Sequence, residues 1–161
     1  MNIKRAVPTA ILCVLATAIP AGAETESNCW RATKAERRMT RSINDSRGES
    51  NRRPLRLDPE LSHVARVHAA AMVNKGEIFH NDKLETRVTR WKILGENVGR
   101  GKTTSSVHRS FMASQTHRSN ILGGRFFNVG VGVKSEGDTM WVAIVFEGKR
   151  NPGTTLDMPR C

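Results

Sequence analysis

Residues 32–47 and 58–74 both carry apolar side chains at steps of three and four, which is the spacing of an amphipathic helix. The first helix is expected to end at Gly48. Asp58 is suited to cap the second helix, and Pro59 follows at the first helical position, where its missing N–H costs no hydrogen bond. Each helix therefore presents one face to a core. The two faces consist of Ala32, Ala35, Met39 and Ile43, and of Leu61, Val64, Ala65, His68, Met72 and Val73.

A different periodicity, alternation at every second residue, predicts two strands near the C-terminal end. Residues 129–133 alternate valine with glycine, and the glycine face would admit a closely packed neighbour. After a turn at residues 135–138, residues 139–147 are apolar on both faces, so both faces should be covered. Helices on both sides of a small antiparallel sheet give an α+β fold with three layers, an α-β-α sandwich.

Between residues 77 and 101 the periodicity weakens and turn-forming residues accumulate, which predicts a segment that is mostly loop. Thr103, Thr104 or Ser105 can cap a third helix, which should end near Gln115. Loops on a rigid scaffold commonly carry function. Polar candidates for chemistry lie in or beside these loops: His80, Asn81, Glu96, Asn97, His117, Arg118, Ser119 and Asn120.

The first residues have the pattern of an export signal. Lys4 and Arg5 precede an apolar stretch, and an Ala-Gly-Ala cleavage pattern ends at Ala23. We therefore expect a secreted, extracellular protein from which residues 1–23 are removed. Export brings the chain into an oxidising environment, where Cys29 and Cys161 are expected to form a disulfide that joins the two ends of the mature chain. Free or intermolecular thiols are the alternative.

Composition and charge limit the class of protein and the kinds of partner that it can bind. With 38% hydrophobic and 25% charged residues, the chain is not a disordered tail. It contains no apolar run of about 18 residues, so no membrane-spanning helix is predicted. The formal net charge is +11, and nine basic against three acidic side chains between Arg31 and Arg56 predict attraction to anionic cell-surface polymers. Nucleic acid is disfavoured because the chain has no tyrosine and because Phe111, Trp141 and Phe146 are expected in the core.

Four segments follow one another in an order and at a spacing that we recognise: Phe79-His80-Asn81, Leu-Gly-Glu-Asn-Val-Gly at 94–99, the run 111–122, and Val-Gly-Val-Gly-Val at 129–133. Together they resemble the bacterial branch of the CAP superfamily, whose domain is also called SCP. That superfamily groups cysteine-rich secretory proteins, venom antigens and plant pathogenesis-related proteins. The resemblance extends over about residues 35–147 and implies the α-β-α sandwich. The expected organisation is a signal peptide at 1–23, an N-terminal segment at 24–34 with Cys29, a CAP/SCP domain at 35–148, and a tail at 149–161 with Cys161.

The resemblance also implies a cleft with specific residues. His80 and His117 match the two cleft histidines, and Glu96 matches the acid of the Gly-Glu-Asn motif. Two imidazoles and a carboxylate are ligands that Zn²⁺ or another divalent metal accepts, so these three residues are the predicted metal site. A purely structural hydrogen-bond network is the alternative. The cleft would be supported by Asn97, Ser114, Arg118 and Asn120.

Three functions follow from these observations. The favoured one is a secreted monomer that binds an extracellular ligand, surface or partner without catalysis. Ser114 stands where eukaryotic relatives have a second acid, which leaves one carboxylate where acid–base hydrolysis uses two. A metal-dependent hydrolase with His80, Glu96 and His117 as catalytic residues is the second function. The third is an electrostatic binder of nucleic acid or cell-wall polyanion.

Overall fold

The computed structural model describes residues 29–159, so the predicted export signal and Cys161 lie outside the described residues. The helices of the described chain are α1 Lys34–Glu49, α2 Pro59–Lys75, α3 Leu84–Arg87, α4 Thr104–Ala113 and α5 Gln115–Leu122. Its strands are β1 Arg56–Leu57, β2 Val88–Thr89, β3 Leu94–Gly101, β4 Asn128–Glu136, β5 Thr139–Glu147 and β6 Gly153–Thr154. Within residues 29–159 none of the helices combines the length and the apolarity that crossing a bilayer requires.

The main sheet has the strand order β1-β4-β5-β3. Strands β3 and β4 flank β5, and both pair with it in antiparallel orientation. At the edge, the two residues of β1 pair in parallel with the beginning of β4. The sheet is therefore mixed, whereas the sequence predicted an antiparallel one. The difference comes from β1, which directly precedes the cap of α2 and is too short to carry a pattern of its own. Strands β2 and β6 form a separate antiparallel pair.

Helices cover both faces of the sheet, which confirms the predicted α-β-α sandwich. The alternation along β5 separates two apolar clusters. On one side Val142, Ile144 and Phe146 pack in a cluster with residues of α1, α4 and α5. On the other side Trp141, Ala143 and Val145 belong to a cluster with the apolar stripe of α2. Because both faces of β5 are buried, its sequence is apolar throughout.

The glycine face of β4 is confirmed as a place of close approach. A methyl group added at Gly130 would lie 2.5 Å from the Cβ of Leu61, and one at Gly132 would overlap the backbone of Ala65. Both contacts are with α2, so this helix packs directly on the strand backbone. The Oγ of Ser62 accepts a hydrogen bond of 3.2 Å from the backbone N–H of Val131 and fixes the helix on the strand.

The helix ends follow local rules with small shifts. The Asp58 carboxylate accepts hydrogen bonds from the backbone N–H groups of Glu60 and Leu61, and Pro59 is the first residue of α2 as predicted. Thr33 caps α1, which starts two residues later than the pattern predicted and continues past Gly48 to Glu49. A glycine inside the last turn weakens a helix without ending it.

One predicted element is wrong and one helix was not predicted, and both differences matter for the site. Residues 94–101 are not loop but strand β3, which is paired along its whole length with β5. The predicted third helix ends at Ala113, because Ser114 takes an extended conformation (φ −92°, ψ 122°), and a separate helix α5 begins at Gln115. The polar residues of 94–101 and 115–122 therefore lie on regular elements.

The buried face of α1 includes two charged side chains, Glu36 and Arg47, both with no exposed surface. The Glu36 carboxylate accepts two hydrogen bonds of 2.6 Å from the Arg66 guanidinium. Arg47 instead donates to three backbone carbonyls, those of Arg53, Ile121 and Gly123, at 2.6 to 3.0 Å. Arg47 thereby fastens the loop after α1 to the end of α5.

The two ends of the described chain lie together. The backbone N–H of Cys29 donates a 3.1 Å hydrogen bond to the carbonyl of Pro159. Cys161 follows two residues later and lies outside the described residues, so its pairing with Cys29 stays a prediction.

Candidate functional site

The carboxylate of Glu96 is the centre of the candidate site. Glu96 lies on β3 opposite Val145 of β5, and only 6% of its side chain is exposed. Its Oε2 accepts a 2.8 Å hydrogen bond from Nδ1 of His80 and a 2.9 Å hydrogen bond from the backbone N–H of Asn81. A carboxylate accepts at this contact, so Nδ1 of His80 carries a proton, and in the neutral form of the ring the lone pair is on Nε2.

His68 lies behind Glu96, in the core. It is 2% exposed, which confirms the sequence interpretation of a buried core histidine. Its Nε2 is 2.7 Å from the carbonyl oxygen of Phe79 and 3.9 Å from Oε1 of Glu96, and its ring meets the Phe79 ring edge to face at 5.0 Å. His68 therefore supports the segment that carries His80. No sequence pattern indicated this contact, because a histidine on an apolar helix stripe does not reveal what faces it across the core.

His117 lies on α5, with its ring 5.0 Å from that of Phe111 at an angle of 43°. Its Nδ1 is buried and has no hydrogen-bond partner among the described residues. Burial lowers the pKa of the His117 imidazole, and the nearby charge of a protonated His80 lowers it further. The site therefore favours neutral His117.

Two asparagines tie α5 to β3. Asn97 donates a 3.0 Å hydrogen bond from Nδ2 to the carbonyl of His117. Asn120 donates from Nδ2 to the Glu96 carbonyl at 3.1 Å and to Oδ1 of Asn97 at 2.9 Å. Gly95 permits this approach, since a methyl group there would lie 3.1 Å from Oδ1 of Asn120. These contacts fix the backbone that carries Glu96 and His117.

Two predicted residues, Ser114 and Arg118, are not among those that line the cleft of His80 and Glu96. His80 and Glu96 line a polar cleft of about 300 Å³ together with Asn81, Asp82 and Glu85. Arg118 lines a separate cavity of about 520 Å³ against α4 and α5. Ser114 joins the two helices, and its side chain makes no capping hydrogen bond. The structure thus brings His80 and Glu96 into direct contact, with Asn97 and Asn120 on the backbone beside them.

The predicted metal ligands are the imidazoles of His80 and His117 and the carboxylate of Glu96. Within residues 29–159 no three His, Cys, Asp or Glu side chains stand in an arrangement that would hold a metal ion. Oε2 of Glu96 is engaged by His80 and Asn81, and Oε1 is buried without a hydrogen-bond partner in the described chain. Glu96 is therefore placed to orient His80 rather than to reach an ion in the cleft. The three-ligand zinc site stays a prediction.

Comparison with known proteins shows the family to which the chain belongs. Residues 40–145 match the family model described as cysteine-rich secretory protein family, CAP. A curated relative, the uncharacterized protein YkwD of Bacillus subtilis, is 30% identical over 139 residues, which cover 78% of this chain and 54% of the relative. The chain therefore spans about half the length of that relative.

Solved structures share the fold at low sequence identity. An extracellular SCP-domain protein from Bacillus anthracis superposes with a TM-score of 0.64 at 21% identity, covering 71% of this chain and 40% of that one. An outer surface protein from Borrelia burgdorferi superposes with a TM-score of 0.66 at 16% identity, covering 77% and 100% of the two chains. From the match of the family model and the agreement in fold, the chain belongs to the CAP superfamily of cysteine-rich secretory proteins.

Proposed function

We propose that this protein is a secreted, non-catalytic binding module, with the cleft at His80 and Glu96 as its ligand site. The proposal rests mainly on the state of the Glu96 carboxylate. That carboxylate is 6% exposed, and one of its oxygens already accepts two hydrogen bonds from the protein. A general base must be within hydrogen-bond reach of the proton that it removes. A carboxylate enclosed in this way serves to orient a histidine instead.

His80 is the group through which the cleft would bind. Its side chain is 67% exposed, and Glu96 accepts the hydrogen bond from Nδ1, so the neutral ring presents the lone pair of Nε2 to a ligand. The same arrangement, an imidazole oriented by a carboxylate, is common behind metal-binding histidines. If Zn²⁺ or another divalent metal binds, His80 and His117 would supply the nitrogen ligands, and Glu96 would support His80.

Secretion is part of the proposal. It is supported by the export signal pattern of residues 1–23 and by the fold shared with proteins described as extracellular or as outer surface proteins.

A metal-dependent hydrolase that uses the same cleft is the second candidate, and one observation favours it. A histidine hydrogen-bonded through Nδ1 to a buried carboxylate is also the pairing that general-base catalysis uses. Against it, Ser114 stands at the position where the family resemblance places a second acid, so that particular carboxylate is missing.

Calorimetric titration with zinc tests the site. The mature protein should release heat on binding, and the double variant His80→Ala and His117→Ala should not. His63→Ala is the matched control, because His63 is a partly exposed histidine of α2 outside the cleft. Glu96→Gln should weaken binding about 10- to 100-fold, because His80 loses the group that orients it. Equal heats for the wild type and the double variant would contradict metal binding at this cleft.

Turnover assays separate the two candidates. Peptide, ester and phosphodiester substrates should show no turnover above that of the double variant, with or without zinc. Zinc-stimulated hydrolysis that is lost in Glu96→Gln would overturn the non-catalytic proposal and establish the hydrolase.

A further inference from the structure

Two adjacent cavities lie at the end of the sheet where β3 and β4 begin and β5 ends, and the side chain of Phe127 lines both. The cationic side chains of the larger one, about 420 Å³, are Arg53, Lys92 and Arg125. Those of the smaller one, about 260 Å³, are Arg56 and Arg150. We refer to the two cavities together as the basic groove. It combines residues from four separate parts of the chain.

Within residues 29–159 most of the positive charge of the basic groove has no acidic partner. The acids beside it are Glu147, which has no exposed surface and accepts a hydrogen bond from Asn128, and Asp58, which is 6% exposed and caps α2. Asp58 reaches Arg56 only at 3.5 Å. In the part of the chain that the structure describes, four groove cations form no ion pair: Arg53, Lys92, Arg125 and Arg150.

Arg53 is held in place before any ligand arrives. Its guanidinium lies 3.3 Å from the centre of the Phe127 ring, and one nitrogen donates to the carbonyls of Gly124 and Phe126 at 3.4 and 3.2 Å. Phe127 is itself fixed by a 2.8 Å backbone hydrogen bond to Glu147. A cation fixed in this way loses little conformational entropy on binding an anionic group.

The chemistry of the basic groove favours one class of polyanion. Single-stranded nucleic acid binds through a series of aromatic platforms, whereas this groove has one aromatic ring, already covered on one side by Arg53. A membrane surface would take up exposed apolar side chains, but the large exposed ones in residues 29–159 are Ile78 and Trp91, which line neither cavity. Successive cavities that share one wall suit an extended hydrophilic chain with anionic groups at intervals.

We propose that the basic groove binds a linear acidic polysaccharide through carboxylate or sulfate groups contacted by Arg53, Lys92, Arg125 and Arg150. This assignment does not depend on the His80 cleft. It overlaps only in part with the basic segment at residues 31–56, because Arg53 and Arg56 of that segment line the groove and the groove's other cations come from elsewhere in the chain. Many cations of the basic segment lie on the exposed face of α1, and Arg47 is buried.

The test uses the mature protein and a size-fractionated heparin oligosaccharide, with affinity measured by calorimetry over a series of salt concentrations. The groove variant is Lys92→Gln, Arg125→Gln and Arg150→Gln, whose exposed side chains make no hydrogen bond within the described chain. The matched control removes one lysine and two arginines from the exposed face of α1: Lys34→Gln, Arg38→Gln and Arg41→Gln. Both variants carry the same net charge, and neither substitutes a buried residue.

For the wild type, the logarithm of the binding constant should fall linearly with the logarithm of the salt concentration. The groove variant lacks three cations. Because each cation that contacts an anionic group adds roughly one to the magnitude of this slope, the slope of the variant should be smaller by about 2 to 3. The α1 control should retain the wild-type slope. If both variants lost affinity equally, the proposed binding at the groove would be overturned, and attraction by net charge alone would explain the binding. A single-stranded oligonucleotide of equal charge that binds more tightly than the oligosaccharide would overturn the choice of partner.

Discussion

The packing of α2 on the glycine face of β4 makes Gly130→Ala a sharp test of the fold. The added methyl group would lie 2.5 Å from the Cβ of Leu61 and still closer to the Leu61 carbonyl group. Carbon atoms in contact stand about 3.5 to 4.0 Å apart, so α2 would have to move away from the strand by about 1 Å. The obstacle is helix backbone, which cannot rotate out of the way as a flexible side chain would.

The expected cost follows from that displacement. Overpacking of a core costs about 1 to 3 kcal/mol, and loss of the hydrogen bond from Val131 to Ser62 adds about 1 kcal/mol. Gly130→Ala should therefore lower the free energy of unfolding by about 3 kcal/mol, a large part of the roughly 5 to 15 kcal/mol that a domain has. Urea unfolding followed by tryptophan fluorescence measures the change.

Gly48→Ala is the matched control. It makes the same chemical change inside helix α1, where a methyl group would meet nothing within 4 Å. There the substitution should raise the free energy of unfolding by about 0.5 to 1 kcal/mol, because alanine is the better helix former. If Gly130→Ala were as stable as the wild type, the close packing of α2 on β4 would be refuted.

Three further predictions concern other parts of the molecule. Arg47→Met should lower the free energy of unfolding by about 3 kcal/mol, because three backbone carbonyls lose their donor; unchanged urea unfolding would contradict this. The exported protein should show no titratable thiol until it is reduced, and two free thiols would exclude a bond between Cys29 and Cys161. Burial raises the pKa of the Glu147 carboxyl, so the folded state retains that proton to higher pH than the unfolded state. Above about pH 4.3 the wild type should therefore lose stability relative to Glu147→Gln as the pH rises, and a difference independent of pH would contradict the assignment.

The parts of the fold that were predicted correctly depend on short-range rules. The cap at Asp58, the proline that follows it and the glycine face of β4 are each decided by a few neighbouring residues. The two apolar faces of β5 are likewise visible in the sequence, because a strand covered on both sides has no polar alternation. These features established the layers and the order of most elements.

Strand β3 could not be predicted in this way. Its residues 94–101 include three glycines and two charged side chains, which have no strand pattern of their own. Its backbone hydrogen bonds come from β5, about 45 residues later in the chain, and no local rule contains that pairing. The contact of His80 with Glu96 depends on this strand, so its geometry was not derivable from spacing. The resemblance to the CAP superfamily predicted that His80 and Glu96 share a cleft, and the structure shows the hydrogen bond between them.

The buried charged residues of α1 were also not predicted from the sequence pattern. Glu36 and Arg47 occupy core positions of α1 that an apolar pattern assigns to the surface. Glu36 is stabilised by Arg66 and Arg47 by backbone carbonyls, and both sets of partners come from other elements. A charged residue at a core position is tolerated only when such partners arrive, which the sequence of α1 alone does not show.

The hydrogen bond between Cys29 and Pro159 has a consequence for how the chain can be rearranged. Because residues 29 and 159 meet, a short peptide could join them in a chain limited to the described residues, and that chain could be opened at the tight turn at Gly137 between β4 and β5. Such a circular permutant would keep each layer of the sandwich while reversing which half of the sheet leaves the ribosome first. Its refolding would show whether this architecture requires one order of synthesis or only the final set of neighbours.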